Sequence, residues 1–146
     1  MFKVLVTSLV LFSFQSCMRS CSPIPEPIQF GRDSCEHCHM VIVDPQFGGE
    51  LVTQKGRIYK FDSLSCLLNY YENMNETPAQ IFAVDYLHSG ALIDVHAAHF
   101  MIAEQIHGPM GPTPIASTDL AGLQTLVEKI KGEITNWSKI VTSIKK

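Results

Sequence analysis

Glu50-Leu51-Val52-Thr53-Gln54-Lys55-Gly56-Arg57-Ile58-Tyr59-Lys60-Phe61-Asp62-Ser63-Leu64-Ser65-Cys66-Leu67-Leu68-Asn69-Tyr70-Tyr71 changes its hydrophobic period partway along. Glu50 to Gln54 reads as a strand and Lys55-Gly56 as a tight turn. Arg57 to Phe61 alternates polar and apolar residues, as a return strand does. From there the apolar positions Leu64, Leu67, Leu68 and Tyr71 recur at helical spacing, giving a helix to about Asn73. Asp62 stands where the helix N-cap is expected. A hairpin running directly into a capped helix predicts a mixed fold with antiparallel strands.

Reading outward, Asn75 to Pro78 breaks the helix. Ile81 to Leu87, Ala91 to Val95 and Ala98 to Glu104 read as strands, with a turn at Gly90. His107-Gly108-Pro109-Met110-Gly111-Pro112 reads as a rigid loop, and Thr113 to Ala116 as extended. Ser117 or Thr118 is then expected to cap a second helix built on Leu120, Leu123, Leu126, Val127 and Ile130, with Gly132 as its stop. Before the quoted stretch, Val41-Ile42-Val43 is a short β-branched run ending at the turn signal Asp44-Pro45. The class is α+β, in two small halves that look alike, paired antiparallel strands and then one capped helix each, about 31–80 and 81–132. Residues 133–146 are expected as a tail, a marginal helix or strand and then disorder.

The N-terminus predicts export. Lys3 precedes an apolar run from Val4 to Phe14 that is short for a membrane span and suited to a signal-peptide core, giving a signal peptide over 1–16. Ser16-Cys17 directly after it resembles the lipobox of bacterial lipoproteins, in which the cysteine becomes the lipidated residue. Cys21 is a second candidate, and an ordinary cleaved signal peptide is the alternative. Pro23, Pro25 and Pro27 alternate within 17–30 and predict an extended tether. The expected location is the bacterial envelope, on a membrane by a lipid anchor and facing the periplasm. A 46% apolar composition supports a real core, while a net charge of −3 without a polybasic patch gives no electrostatic support for nucleic-acid binding.

The chemistry concentrates in Cys35-Glu36-His37-Cys38-His39-Met40. Thiolate and thioether are soft donors, and the combination selects Cu(I) over Zn2+, which rarely uses Met. His37 and His39 are further donors in the same segment. Three alternatives stand beside this. A zinc site would need two more ligands, from scattered His or Cys66. A redox C-x-x-C belongs at the start of a long helix, whereas this one precedes a β-branched run. A Cys35–Cys38 disulfide suits an exported protein. Met110 sits on a Gly/Pro loop with no regular core face to fill, which makes it a candidate ligand or partner contact, with His107 close by. Cys66, between Leu64 and Leu67-Leu68, reads as a buried small hydrophobe, and Asp62 as a helix cap. His88, His96 and His99 read as solvated surface. Paired carboxylates, a nucleophile elbow and a phosphate loop are absent, so the chain reads as a binding protein and not an enzyme.

Cys35-x-x-Cys38-x-Met40-x-Ile42-x-Asp44, Gly56-x-x-x-x-Phe61-Asp62-x-x-x-Cys66 and Pro109-Met110-Gly111 together resemble the NosL family, lipid-anchored copper chaperones of nitrous oxide reductase maturation. The resemblance runs from about Asp33 to Ala116. It implies a small α+β protein with two ββαβ-like halves, and one Cu(I) carried to a membrane assembly machinery, an ABC-type transporter with a periplasmic β-helical subunit. It implies Cys38, Met40 and Met110 as ligands, with Cys35 next. The family often has Gly between the second Cys and the Met, and an aromatic where this chain has His37. His39 and His37 stand in those places, which makes both imidazoles further candidate donors.

Overall fold

A computed structural model describes residues 24–144. The run at 4–14, Cys17 and Cys21 lie outside the described residues. Among the described residues, no helix is long and apolar enough to cross a membrane.

The quoted stretch forms strands β1 (Gly49–Val52) and β2 (Ile58–Phe61), then helix α1 (Leu64–Glu72). Thr53 closes the hairpin turn: its N–H donates to the Arg57 carbonyl at 2.8 Å, and its hydroxyl accepts from the Arg57 N–H at 3.0 Å. β3 (Gln80–Val84) and β4 (Leu92–Asp94) complete an antiparallel sheet in the order β2-β1-β3-β4. The apolar face of α1, led by Leu64, Leu67 and Leu68, is buried. Gly49 permits this packing, because a β-carbon there would lie 2.6 Å from Leu67 Cδ1 and 2.8 Å from the Phe82 carbonyl oxygen.

The second sheet is built from β5 (His99–Ile102), β8 (Ile115–Ser117) and β9 (Glu133–Thr135), in the order β8-β5-β9. A small hairpin of β6 (His107–Gly108) and β7 (Gly111–Pro112) interrupts it, and α2 (Leu120–Ile130) precedes β9. α3 (Trp137–Ile144) ends the described chain. Each half therefore has a central strand flanked by the next strand of its sheet and by the strand after its helix: β1 by β2 and β3, β5 by β8 and β9. The expected α+β class with two ββαβ-like halves holds. Because β3 and β4 belong to the first sheet, the division falls after β4 and not near residue 80. The halves share one core, in which Phe61, Leu67 and Ile81 cluster with Phe100, Ala116 and Trp137. A bridge pairing Asp85 with Ala116 links the sheets.

Several local expectations are corrected. The α1 cap is Ser63, whose side chain accepts from the Cys66 N–H, so Asp62 is not the capping residue. The α2 cap is Asp119, accepting from the Gly122 N–H at 2.9 Å. Ser117 and Thr118 are otherwise engaged, Ser117 with the Asp119 N–H and Thr118 with Asp85. Lys131, at φ 54°, takes the left-handed position ending α2. Gly132 is needed instead for close approach, since a β-carbon there would strike the Met101 side chain and the Ile102 carbonyl. The β-branched run Val41–Val43, given no element in the sequence reading, has Ile42 buried and Val41 paired with Ser34 in an isolated bridge. The 107–112 segment is a hairpin tipped by Pro109-Met110. The expected tail is a strand of the second sheet followed by a helix, with Trp137 and Ile140 buried against α1 and β5.

Candidate metal centre

Residues 34–41 form a closed turn. Inside the Ser34–Val41 bridge, the Cys35 N–H donates to the Met40 carbonyl at 2.8 Å and the His39 N–H to the Cys35 carbonyl at 2.9 Å. This folds the chain so that Cys35 and Cys38 share one side. The Glu36 N–H, donating to the Lys60 carbonyl at 2.9 Å, pins the turn to β2. β2 leads through Asp62 into α1, whose third residue is Cys66. The turn therefore faces the start of the helix. One ligand atom each from Cys35, Cys38, Asp62 and Cys66 lie within 4.8 Å of one another.

Cys35, Asp62 and Cys66 are buried, and Cys38 is the half-exposed outer thiol. The Cys38 thiol donates to Asp62 Oδ2 at 3.2 Å, and the Ser63 hydroxyl to Oδ1 at 3.2 Å. Because Ser63 caps the helix, the Asp62 carboxylate is free to face the sulfurs. Burial pushes the Cys38 thiol up to about 11; the Met40 backbone opposes this, and the Asp62 acceptor and Cys35 reinforce it. Burial likewise raises Cys66, with Asp62 adding to the effect. The metal-free site thus holds thiol protons that an incoming ion must displace. Three thiols converging with a single carboxylate suit a thiophilic ion, Cu(I) or Zn2+, and not a hard cation that wants an oxygen cage.

The other candidates fall around this cluster. Met40 is 41% and Met110 53% exposed, unusual for residues that normally fill cores. Met110 tips a hairpin seated on the start of α1: the Ser65 N–H donates to Thr113 Oγ1 at 3.1 Å, and the Ser65 hydroxyl to the Pro112 carbonyl at 3.0 Å. Both thioethers thus belong to segments joined to the cluster while remaining open to solvent. His37, His39 and His107 are exposed, and among the described residues no imidazole joins the converging group. His37 lines a groove with Tyr59, Tyr70 and Met74. Sequence reasoning missed Asp62 as a site residue and weighed Cys66 only as a donor to the alternative zinc site. Their signal was present in the Phe61-Asp62-x-x-x-Cys66 spacing, where cap and core explanations sufficed locally.

The NosL family model matches residues 27–144, which takes in β9 and α3. Among solved structures, the chain is similar to the crystal structure of the copper chaperone NosL from Shewanella denitrificans. The TM-score is 0.71 at 18% sequence identity, covering 80% of this chain and 94% of that one. At that identity the likeness is one of fold. No curated protein matches the chain.

Proposed function

The chain belongs to the NosL family, and from that premise we propose that it is a Cu(I) carrier supplying copper for assembly of the copper centres of nitrous oxide reductase. The observation that carries the reading is the convergence of three thiols at the start of α1; Met40 and Met110, both exposed, are the thioethers proposed to complete the set. In the proposed ligand set Cys38, Met40 and Met110 hold the ion and Cys35 is next. Exposed thioethers suit delivery, because a face of the ion stays open to an incoming ligand. Delivery would go to an ABC-type transporter complex with a periplasmic subunit. A lipid anchor at Cys17 would raise the local concentration at that membrane acceptor without any new contact.

Anaerobic titration of the reduced protein with Cu(I), against a competing chelator, tests the site. One tight site is expected. Cys38→Ser and Met110→Ala should each weaken it by about tenfold or more, the scale that even outer partners of metal ligands carry. Unchanged affinity in both variants sinks the assignment. One observation favours a second reading. Cys35, Cys38, Cys66 and Asp62 supply the four ligands of a closed structural zinc site. Under that reading Met110→Ala leaves metal affinity untouched, and Cys66→Ser abolishes Zn2+ binding.

A further inference from the structure

The converging group holds three thiols, and the proposed carrier set of Cys38, Met40 and Met110 uses one of them. Cu(I) is satisfied by few soft donors, and Cys38 with the two thioethers already provides three. Cys35 and Cys66 remain, at 1% and 2% exposure, on different elements, with sulfur atoms within 4.8 Å of each other. They lie behind Cys38, which is the thiol that solvent reaches. Both are free thiols. Two neighbouring thiols are a two-electron donor, and soft sulfur ligands favour Cu(I) over Cu(II).

We propose that Cys35 and Cys66 are a reductive pair that converts Cu(II) to Cu(I) as copper is loaded, leaving Cys38 to hold the product. This rests on the copper-carrier reading. In the balanced step two Cu(II) ions each take one electron, both S–H bonds break, and one Cys35–Cys66 S–S bond forms. Two protons leave. Asp62, whose carboxylate lies within 4.8 Å of both sulfurs, is the base within reach of them. One Cu(I) stays on Cys38 and the thioethers, and the second passes to a ligand in solution. The sulfurs must close to about 2.05 Å for the bond. Cys35 sits in a turn outside the helices and named strands and Cys66 in α1, so closing the gap falls to the turn. Cys35 then serves as a ligand only when copper arrives already reduced. A dithiol reductant resets the pair.

The test uses the full chain, reduced and metal-free, without oxygen. Two equivalents of cupric chloride are added, Cu(I) is read with bicinchoninate, thiols with a chromogenic disulfide, and linkages by peptide mass mapping. Two Cu(I) per protein, loss of two thiols, a Cys35–Cys66 linkage and one Cu(I) retained after desalting are expected. An unchanged thiol count, a linkage through Cys38 or Cys21, or a linkage between two chains overturns the proposal. A parallel sample receives Cu(I) directly. If it binds Cu(I) while cupric ion goes unreduced, the reductive pair fails and the carrier reading stands. If it retains no Cu(I), the carrier reading fails.

Discussion

His39 adopts φ 63°, the left-handed region in which a β-carbon is crowded by the following carbonyl. Its N–H is committed to the Cys35 carbonyl, so the turn fixes the backbone there whatever the side chain. The conformation accounts for a glycine at this place in the family pattern, and His39 departs from that pattern with its ring in solvent. His39→Gly is therefore expected to raise stability by about 0.5–1 kcal/mol, measured by thermal melting, and to leave Cu(I) affinity unchanged. A loss of affinity would make the imidazole a ligand. At this scale the site was half legible. Cys35, Cys38 and Met40 stood out because local spacing is chemistry that a sequence displays. Cys66 and Asp62 did not, since a buried cysteine reads as a small hydrophobe and an aspartate before a helix reads as a cap. Only the approach of the start of α1 to the turn, across 24 or more residues of sequence, turns both into site residues.

The elements show a similar division. β1, β2 and α1 were legible because the hydrophobic period switches from two to helical within one stretch. The segment after Gly132 was not, because its short strand and amphipathic helix carry weak local signal and acquire structure from pairing with β5 and packing on α1. Trp137, at 8% exposure, stacks against Tyr71 and Phe100 with centroids 5.9 Å from each. Trp137→Ala is expected to cost about 3–5 kcal/mol, read as a lower urea midpoint. A disordered tail would leave the midpoint unmoved. The 107–112 hairpin escaped prediction because two-residue strands leave no periodicity, yet hydrogen bonds from Ser65 to Pro112 and Thr113 tie its base to the start of α1.

Across the whole molecule, the segment over residues 24–33 crosses the face of the first sheet opposite α1 and enters the metal turn. Lys60 holds it through the Pro27 carbonyl at 3.3 Å and Asp33 at 2.8 Å. Beside it Glu50 is fully buried; one carboxylate oxygen accepts from the Glu26 N–H at 3.0 Å, and the other has no hydrogen-bond partner among the described residues. Burial lifts this carboxyl from an ordinary 4.5 to about 7, against the pull of the Glu26 N–H and of Lys60. The folded protein thus binds the proton more tightly than the unfolded chain. The resulting stability is fully present below pH 4.5 and is lost as pH rises to about 7. Glu50→Gln should remove that slope, raising stability at pH 8 by about 1–3 kcal/mol with little effect at pH 4. Parallel pH profiles of variant and parent, from chemical denaturation, would contradict it.

The carrier function depends on which atoms hold the cargo. X-ray absorption at the copper edge of the Cu(I)-loaded protein reads them directly. A shell of sulfur neighbours alone is predicted, losing one sulfur in Met110→Ala. Imidazole scattering around the metal, or a spectrum that Met110→Ala leaves unaltered, would contradict a carrier site built from Cys38, Met40 and Met110.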